Sequence, residues 1–195
     1  MALYYFLDPR DPHILDMFMQ SLWNETQYNP LGQRHYSCVP YLLGEGQAMM
    51  YSYLPKTEVY KDIPGVPFGH VPFNYLRDNM VKTLNEKAVE FDFLVQVQTD
   101  AHRMPIENAG VRWPERLSPF VPAATIHIPK QKFDSPAQFE FAKKMSINPW
   151  HGLKEHRPLG NQNRARRRMY KELSVYRQKM NNVPHVEPNG SEIFM

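Results

Sequence analysis

The residues best able to do chemistry lie in the stretch NRARRRMYKELSVYRQKM, where helical spacing predicts one helix over 163–180. At the helical rotation per residue, Arg166, Tyr170 and Arg177 fall within about 40° of one another on a single stripe. Two guanidiniums therefore flank one phenol. A phenol ionises near pH ~10, and a cation one helical turn away favours the ionised form. A phenolate is a hard anionic donor suited to ferric iron, and tyrosine is among the side chains that hold haem iron from the proximal side. Arg177 reaches about 10 Å farther along the axis than Tyr170. That is the distance from an iron to a haem propionate, which a guanidinium binds as a forked donor. The candidate site is Tyr170 as metal ligand with Arg166 and Arg177 as further cofactor-binding residues, and the cofactor such a set would suit is ferric haem.

Two plainer readings compete. Residues 161–182 hold seven Lys or Arg against the single acid Glu172, a local net of +6 that leaves −3 for the remainder. A solvated basic helix has that composition, and so does a phosphate-binding face on nucleic acid. Against the nucleic-acid reading, aromatic residues are not interleaved with the basic ones as in single-strand binders. Arg164, Arg167 and Arg168 fall off the Tyr170 stripe and read as solvated. Elsewhere, His127 reads as a satisfied strand residue. His151 and His156, in a loop with Glu155, lack a third ligand at fitting spacing and read as loop hydrogen-bonding groups. Cys38 reads as a small buried hydrophobe.

Several elements must position this helix. Asp11-Pro12 opens an amphipathic helix ending near Trp23. Strand-like runs from Tyr36 to Tyr53 flank Gly44-Glu45-Gly46 and predict a hairpin. A proline-rich loop over 55–72 precedes a helix from Phe73 to Ala88. The alternation of FDFLVQVQT puts Phe91, Phe93, Val95 and Val97 on one face of a strand. VPAATIHIP supplies another strand over 121–129, and Ser135-Pro136 caps a helix running through Met145. On the last helix, Met169, Leu173, Tyr176 and Met180 form an apolar stripe expected to pack on the domain. The tail from Asn181 reads as frayed.

Composition narrows the class. A chain of 195 residues with 42% hydrophobic and 22% charged residues can bury a real core, which excludes dominant disorder. The net charge of +3 is too small to argue for a polyanionic partner. One cysteine excludes a secreted disulfide scaffold and a multi-thiolate zinc site. No leader pattern or membrane-length apolar run is present, so the expectation is a soluble, cytoplasmic chain with no membrane and no nucleic-acid partner. Eighteen prolines against nine glycines imply rigid connections and few long helices.

The chain resembles the C-terminal part of the catalase-like haem proteins, whose proximal element has the pattern RxxxYxxxxxxR. That pattern falls on Arg166, Tyr170 and Arg177. The upstream text FDFLVQVQTDAHRMPIENAGVRWPERLSPFVPAATIHIPKQKFDSP, then INPWHGLKEHRPLGNQNRARRRMY, is similar to the smaller, catalase-related branch of that family. The resemblance implies an iron-ligating Tyr170, a tyrosine-activating Arg166 and a propionate-binding Arg177. It implies an α+β fold whose core is an incomplete antiparallel β-barrel of about four strands with flanking helices, having at least one unpaired edge. It also implies hydrogen peroxide or an organic hydroperoxide as substrate.

The family's distal histidine, in a context like HGC or HARG, and its distal asparagine have no counterpart here, so no catalytic residue is assigned. The expectation is therefore the proximal half of a longer catalase-like chain, with 1–182 as a truncated haem-binding domain and 183–195 as tail. Its partner would be a missing N-terminal half or another copy. Alone it would be weak or inactive in peroxide decomposition. The alternatives are a non-enzymatic haem-binding or subunit-like fragment and, less favoured, a basic-helix nucleic-acid binder.

Overall fold

The structure, a computed structural model, describes residues 27–63 and 71–192 together with Ile14, Leu15 and Phe18. Apart from those three residues, the helix expected after Asp11-Pro12 lies outside the described residues. Five strands form one sheet: β1 (His35–Tyr36), β2 (Tyr41–Leu42), β3 (Ala48–Pro55), β4 (Val89–Val97) and β5 (Val121–Ile128). All pair antiparallel in the order β1-β3-β4-β5, and β2 pairs with β3 beyond the end of β1. The expected hairpin is present. Leu43 N–H donates to Gln47 O at 2.7 Å, and Gly44 (φ 68) and Gly46 (φ 77) supply the left-handed turn positions.

Alternation assigns the two faces. Met49, Tyr51 and Tyr53 lie opposite Val97, Val95 and Phe93 on one face, as the sequence pattern requires. The other face carries Ala48, Met50, Ser52, Leu94 and Gln96. On the first face, Leu31, Val59, Leu84, Val89 and Phe91 form one buried cluster, and Val39, Tyr41, Met49 and Val95 form another. Ala48, Met104 and Trp113 bury a third cluster on the opposite face. Both faces are covered, which explains why β4 buries Leu94 and Gln96 as well as Val95.

Among the described residues from 27 on, three α-helices flank the sheet: α1 (Tyr75–Glu86), α2 (Pro136–Lys144) and α3 (Gly160–Met180). Helix α1 is pinned by a buried polar hub. The Asn29 amide donates to Tyr60 O at 3.0 Å and Thr83 Oγ1 at 3.0 Å, and its oxygen accepts from Leu31 N–H. Helix α2 starts where the sequence places it, with Ser135 and Gln138 in a reciprocal capping box and Pro136 in the first turn. No helix among the described residues is long and apolar enough to cross a membrane.

The sheet is open. The outer side of β2 is covered by residues 155–159: Leu42 N–H donates to Arg157 O at 2.9 Å, and Tyr41 bridges to Pro158. Nothing among the described residues pairs with the outer side of β5. The register shifts between Phe93 and Leu94, and Pro122, which has no N–H, is tolerated on this edge strand.

Three expectations fail, each for a physical reason. Met169, Leu173, Tyr176 and Met180 do not pack on the domain; they are 54–65% exposed. Helix α3 instead buries Gly160, Asn163, Ser174 and Gln178, because Gly160 stands close to the Ile106 backbone and the other three find carbonyl and hydroxyl partners. Cys38 is exposed at a left-handed kink (φ 57) between β1 and β2, not buried as a small hydrophobe. The segment read as a frayed tail folds back: Val186 bridges to Met145, and its N–H donates to Lys144 O at 3.2 Å.

Candidate functional site

Helix α3 docks by its polar residues. Asn163, fully buried, donates its amide to Pro40 O at 3.0 Å and Leu159 O at 2.8 Å, fixing the helix to the chain between β1 and β2. Glu107 accepts from Asn161 N–H at 2.8 Å and from both Arg164 amino groups at 3.0 and 2.9 Å. An acid at a helix N-terminus also meets the positive end of the helix dipole. Farther along, Ser174 bonds Ser146 at 2.9 Å, and Gln178 donates to Lys144 O at 2.8 Å. The start is equally constrained. Gly160 has φ 83, and a Cβ there would stand 2.5 Å from Ile106 O, so only glycine lets the helix begin this close.

This docking sets the Arg166, Tyr170 and Arg177 stripe along the border of the docked face, with Arg166 half-buried and Tyr170 37% exposed. Arg166 Nη2 donates to the Tyr170 hydroxyl at 3.3 Å, while Nη1 reaches Asn163 Oδ1 at 3.5 Å. The hydrogen bond to Tyr170 is the main reason the Arg166 guanidinium is held charged above its ordinary range. A negative charge on the Tyr170 oxygen would thus meet a permanently cationic donor that the buried Asn163 helps to aim. Tyr170 and Arg177 both line a cleft of about 310 Å³ between the end of α2 and α3, with Met145, Ile147 and Leu173. Arg177 donates to Met145 O. The structure therefore joins Arg166 to Tyr170 directly and joins Arg177 to them through the shared cleft wall.

The remaining candidates have ordinary partners. Arg167 lies 5.0 Å above the Trp150 ring, and Trp150 in turn donates to Asn163 O at 2.8 Å. His127 pairs across strands with Glu90 at 3.2 Å, and His156 meets Leu42 O at 3.3 Å. His151 faces Glu187 at 3.4 Å. Among the described residues, no histidine lines the Tyr170 cleft.

Sequence reasoning missed a wall of phenols beside the site. The Tyr41 and Tyr51 rings are 5.1 Å apart, and Tyr51 stacks on both Tyr53 and Phe93 at 5.5 Å. Burial, then the hydrogen bond to Tyr51, pushes Tyr41 up to about 12, and the Arg166 charge only partly opposes this. The alternation Tyr51-Ser52-Tyr53 was the available signal.

Comparison with solved structures bears on the fold. The chain is similar to a fungal catalase (TM-score 0.61, 12% identity over 80% of this chain and 33% of that one). It is similar to a bacterial catalase (TM-score 0.61, 14% identity, 87% and 37%) and to catalase A of Saccharomyces cerevisiae (TM-score 0.58, 13% identity, 78% and 33%). The open α+β sheet is thus laid out like part of a catalase. The chain spans about a third of the length of these proteins. No family of known proteins and no curated protein matches its sequence.

Proposed function

We propose that this chain is the proximal, haem-bearing part of a catalase-like protein, with Tyr170 as the iron ligand. The observation that carries the reading is the Arg166 to Tyr170 hydrogen bond on α3, in a fold laid out like part of a catalase. The donor set suits ferric haem: a phenol oxygen already holding a cationic hydrogen bond, a second guanidinium in the same cleft, and exposed apolar Leu173 and Ile147 beside them. Haem, when bound, would supply the redox chemistry on hydrogen peroxide or an organic hydroperoxide. This chain's residues bind and orient it. Tyr170 would offer its oxygen to the iron, Arg166 would keep its hydrogen bond to that oxygen, and Arg177 would turn toward a propionate.

Peroxide cleavage also needs a base that moves a proton between the peroxide oxygens. Among the described residues no histidine lines the cleft to serve as that base. The same observation favours the second reading, a haem-binding fragment without turnover. Nucleic-acid binding is disfavoured because Arg164 is paired with Glu107 and Arg167 lies over the Trp150 ring.

Haem titration of the full chain, followed by its Soret band, tests the reading. Tyr170→Phe is expected to abolish the ferric-phenolate spectrum, whereas Tyr176→Phe, on the exposed stripe, leaves it intact. Arg166→Ala is expected to weaken haem binding by about tenfold, the loss of one charge-assisted hydrogen bond. Binding by Tyr170→Phe indistinguishable from the unmodified chain would refute the assignment.

A further inference from the structure

A second cavity, of about 450 Å³, lies against the sheet face that carries Met50 and Gln96, under the 109–115 segment. The Tyr170 cleft is not part of it. One wall is aromatic: Tyr36 and Phe120 meet edge-on at 5.9 Å, braced by the Arg34 guanidinium 4.8 and 5.2 Å from their ring centres. Trp113, 2% exposed, also lines it, and its indole N–H is already given to Pro105 O at 3.2 Å, so the ring offers only apolar surface.

Ser37, Arg112 and Glu115 also line the cavity, but Gln96 is the buried polar side chain of its lining. It is 1% exposed and lines the cavity, and its amide nitrogen donates to Trp113 O at 3.3 Å and Ser118 O at 2.8 Å. Two carbonyl partners fix the amide's orientation, so its other end is the oxygen. That oxygen has no partner among the described residues. No sealed side-chain oxygen or nitrogen lacks a partner, so the Gln96 oxygen is reached from the cavity itself. The acceptor is thus free to take a hydrogen bond from whatever occupies the cavity, water or a ligand hydroxyl.

We propose that this cavity binds a phenol-type small molecule, one aromatic body carrying one hydroxyl. The ring would pack against Trp113, Phe120 and Met50, and the hydroxyl would donate to the Gln96 oxygen. The volume lies within the usual range for small-molecule sites, roughly 300–1,000 Å³. The mouth carries a built-in reporter, since Cys38 lines the cavity and is exposed.

The test uses the full chain with 4-tert-butylphenol and its methyl ether, which has the same body and no donor. Binding is read by protection of Cys38 from a neutral maleimide, followed by mass spectrometry, and by Trp113 fluorescence. The phenol should protect Cys38 at about tenfold lower concentration than the ether, the worth of one hydrogen bond. Gln96→Leu should bring the two to parity. Val111→Trp, which fills the cavity without touching Gln96, should abolish protection by both. Equal protection by phenol and ether in the unmodified chain, no protection by either, or a Val111→Trp chain still protected would each overturn the proposal.

Discussion

Replacing Asn163 by Asp changes two N–H groups into an oxygen at a site with no solvent exposure. In the folded chain that oxygen would face Pro40 O and Leu159 O at the 3.0 and 2.8 Å now spanned by hydrogen bonds. Two neutral hydrogen bonds, at about 1 kcal/mol each, are lost. An unpaired buried carboxylate raises the total to about 3–5 kcal/mol, offset in small part by Arg166 Nη1 near Oδ1. Against a domain stability of about 5–15 kcal/mol, that is a large fraction. Burial and facing carbonyls would raise the folded pKa of the new carboxyl above its unfolded ~3.9. The unfolded chain then releases the proton first, so the cost grows as pH rises from about 4 through the folded pKa, and is smallest in acid. Urea unfolding followed by circular dichroism at pH 7 and pH 4 measures it. With a slope of about 2 kcal/mol/M, the midpoint should fall by roughly 1.5–2.5 M at pH 7. An unchanged midpoint at pH 7, or a cost greater at pH 4 than at pH 7, would refute this account of how α3 is held.

Gly160→Ala should destabilise by about 2–4 kcal/mol in the same assay, since a left-handed alanine costs about 1–2 kcal/mol before its Cβ meets Ile106 O. The Arg164 hydrogen bond, then the Asn161 N–H, holds the Glu107 carboxyl below its usual range. Its contribution is therefore present above the unfolded pKa of about 4.3 and lost as pH falls through the lower folded value. Thermal melts of the unmodified chain and Glu107→Gln should accordingly differ at pH 7 and converge only in stronger acid. In alkaline titration read by tyrosinate absorbance, one phenol should lag to about 12, and Tyr41→Phe should remove that step. Because the unfolded phenol ionises first, Tyr41 also makes stability fall as pH climbs past ~10.

Features written over a few neighbouring residues were legible in the sequence. The Gly44-Glu45-Gly46 turn, the Ser135-Pro136 cap and the alternation from Phe91 to Val97 each follow from local sterics or pleat, and all three are observed. The Arg166 and Tyr170 contact was legible for the same reason, being one helical turn. What failed depends on distant partners. Nothing near Asn163, Ser174 or Gln178 in sequence says that Pro40 O, Ser146 and Lys144 O await them, at separations of 123, 28 and 34 residues. A reading that turns the apolar stripe inward therefore chose the wrong face of α3. The Gln96 oxygen and the Asn29 hub were hidden for the same cause, since their environments are assembled from several elements.

The inverted burial of α3 has a consequence for how this chain can vary. Stability rests on a handful of small and amide residues gripping backbone carbonyls and hydroxyls, while Met169, Leu173, Tyr176 and Met180 stand in water. The helix thus presents two nearly independent ledgers to natural selection, one recording whether the chain folds and the other what it meets. Substitutions on the outward stripe are close to neutral for folding, because surface changes away from caps and hydrogen-bond networks usually stay within about 0.5 kcal/mol. Drift on that stripe is checked only by whatever binds there. A saturation library over 160–180, sorted first for folding and then for haem capture, should split into two sets of intolerant positions that scarcely overlap. Asn163 and Gly160 fall in the first set, and Tyr170 in the second.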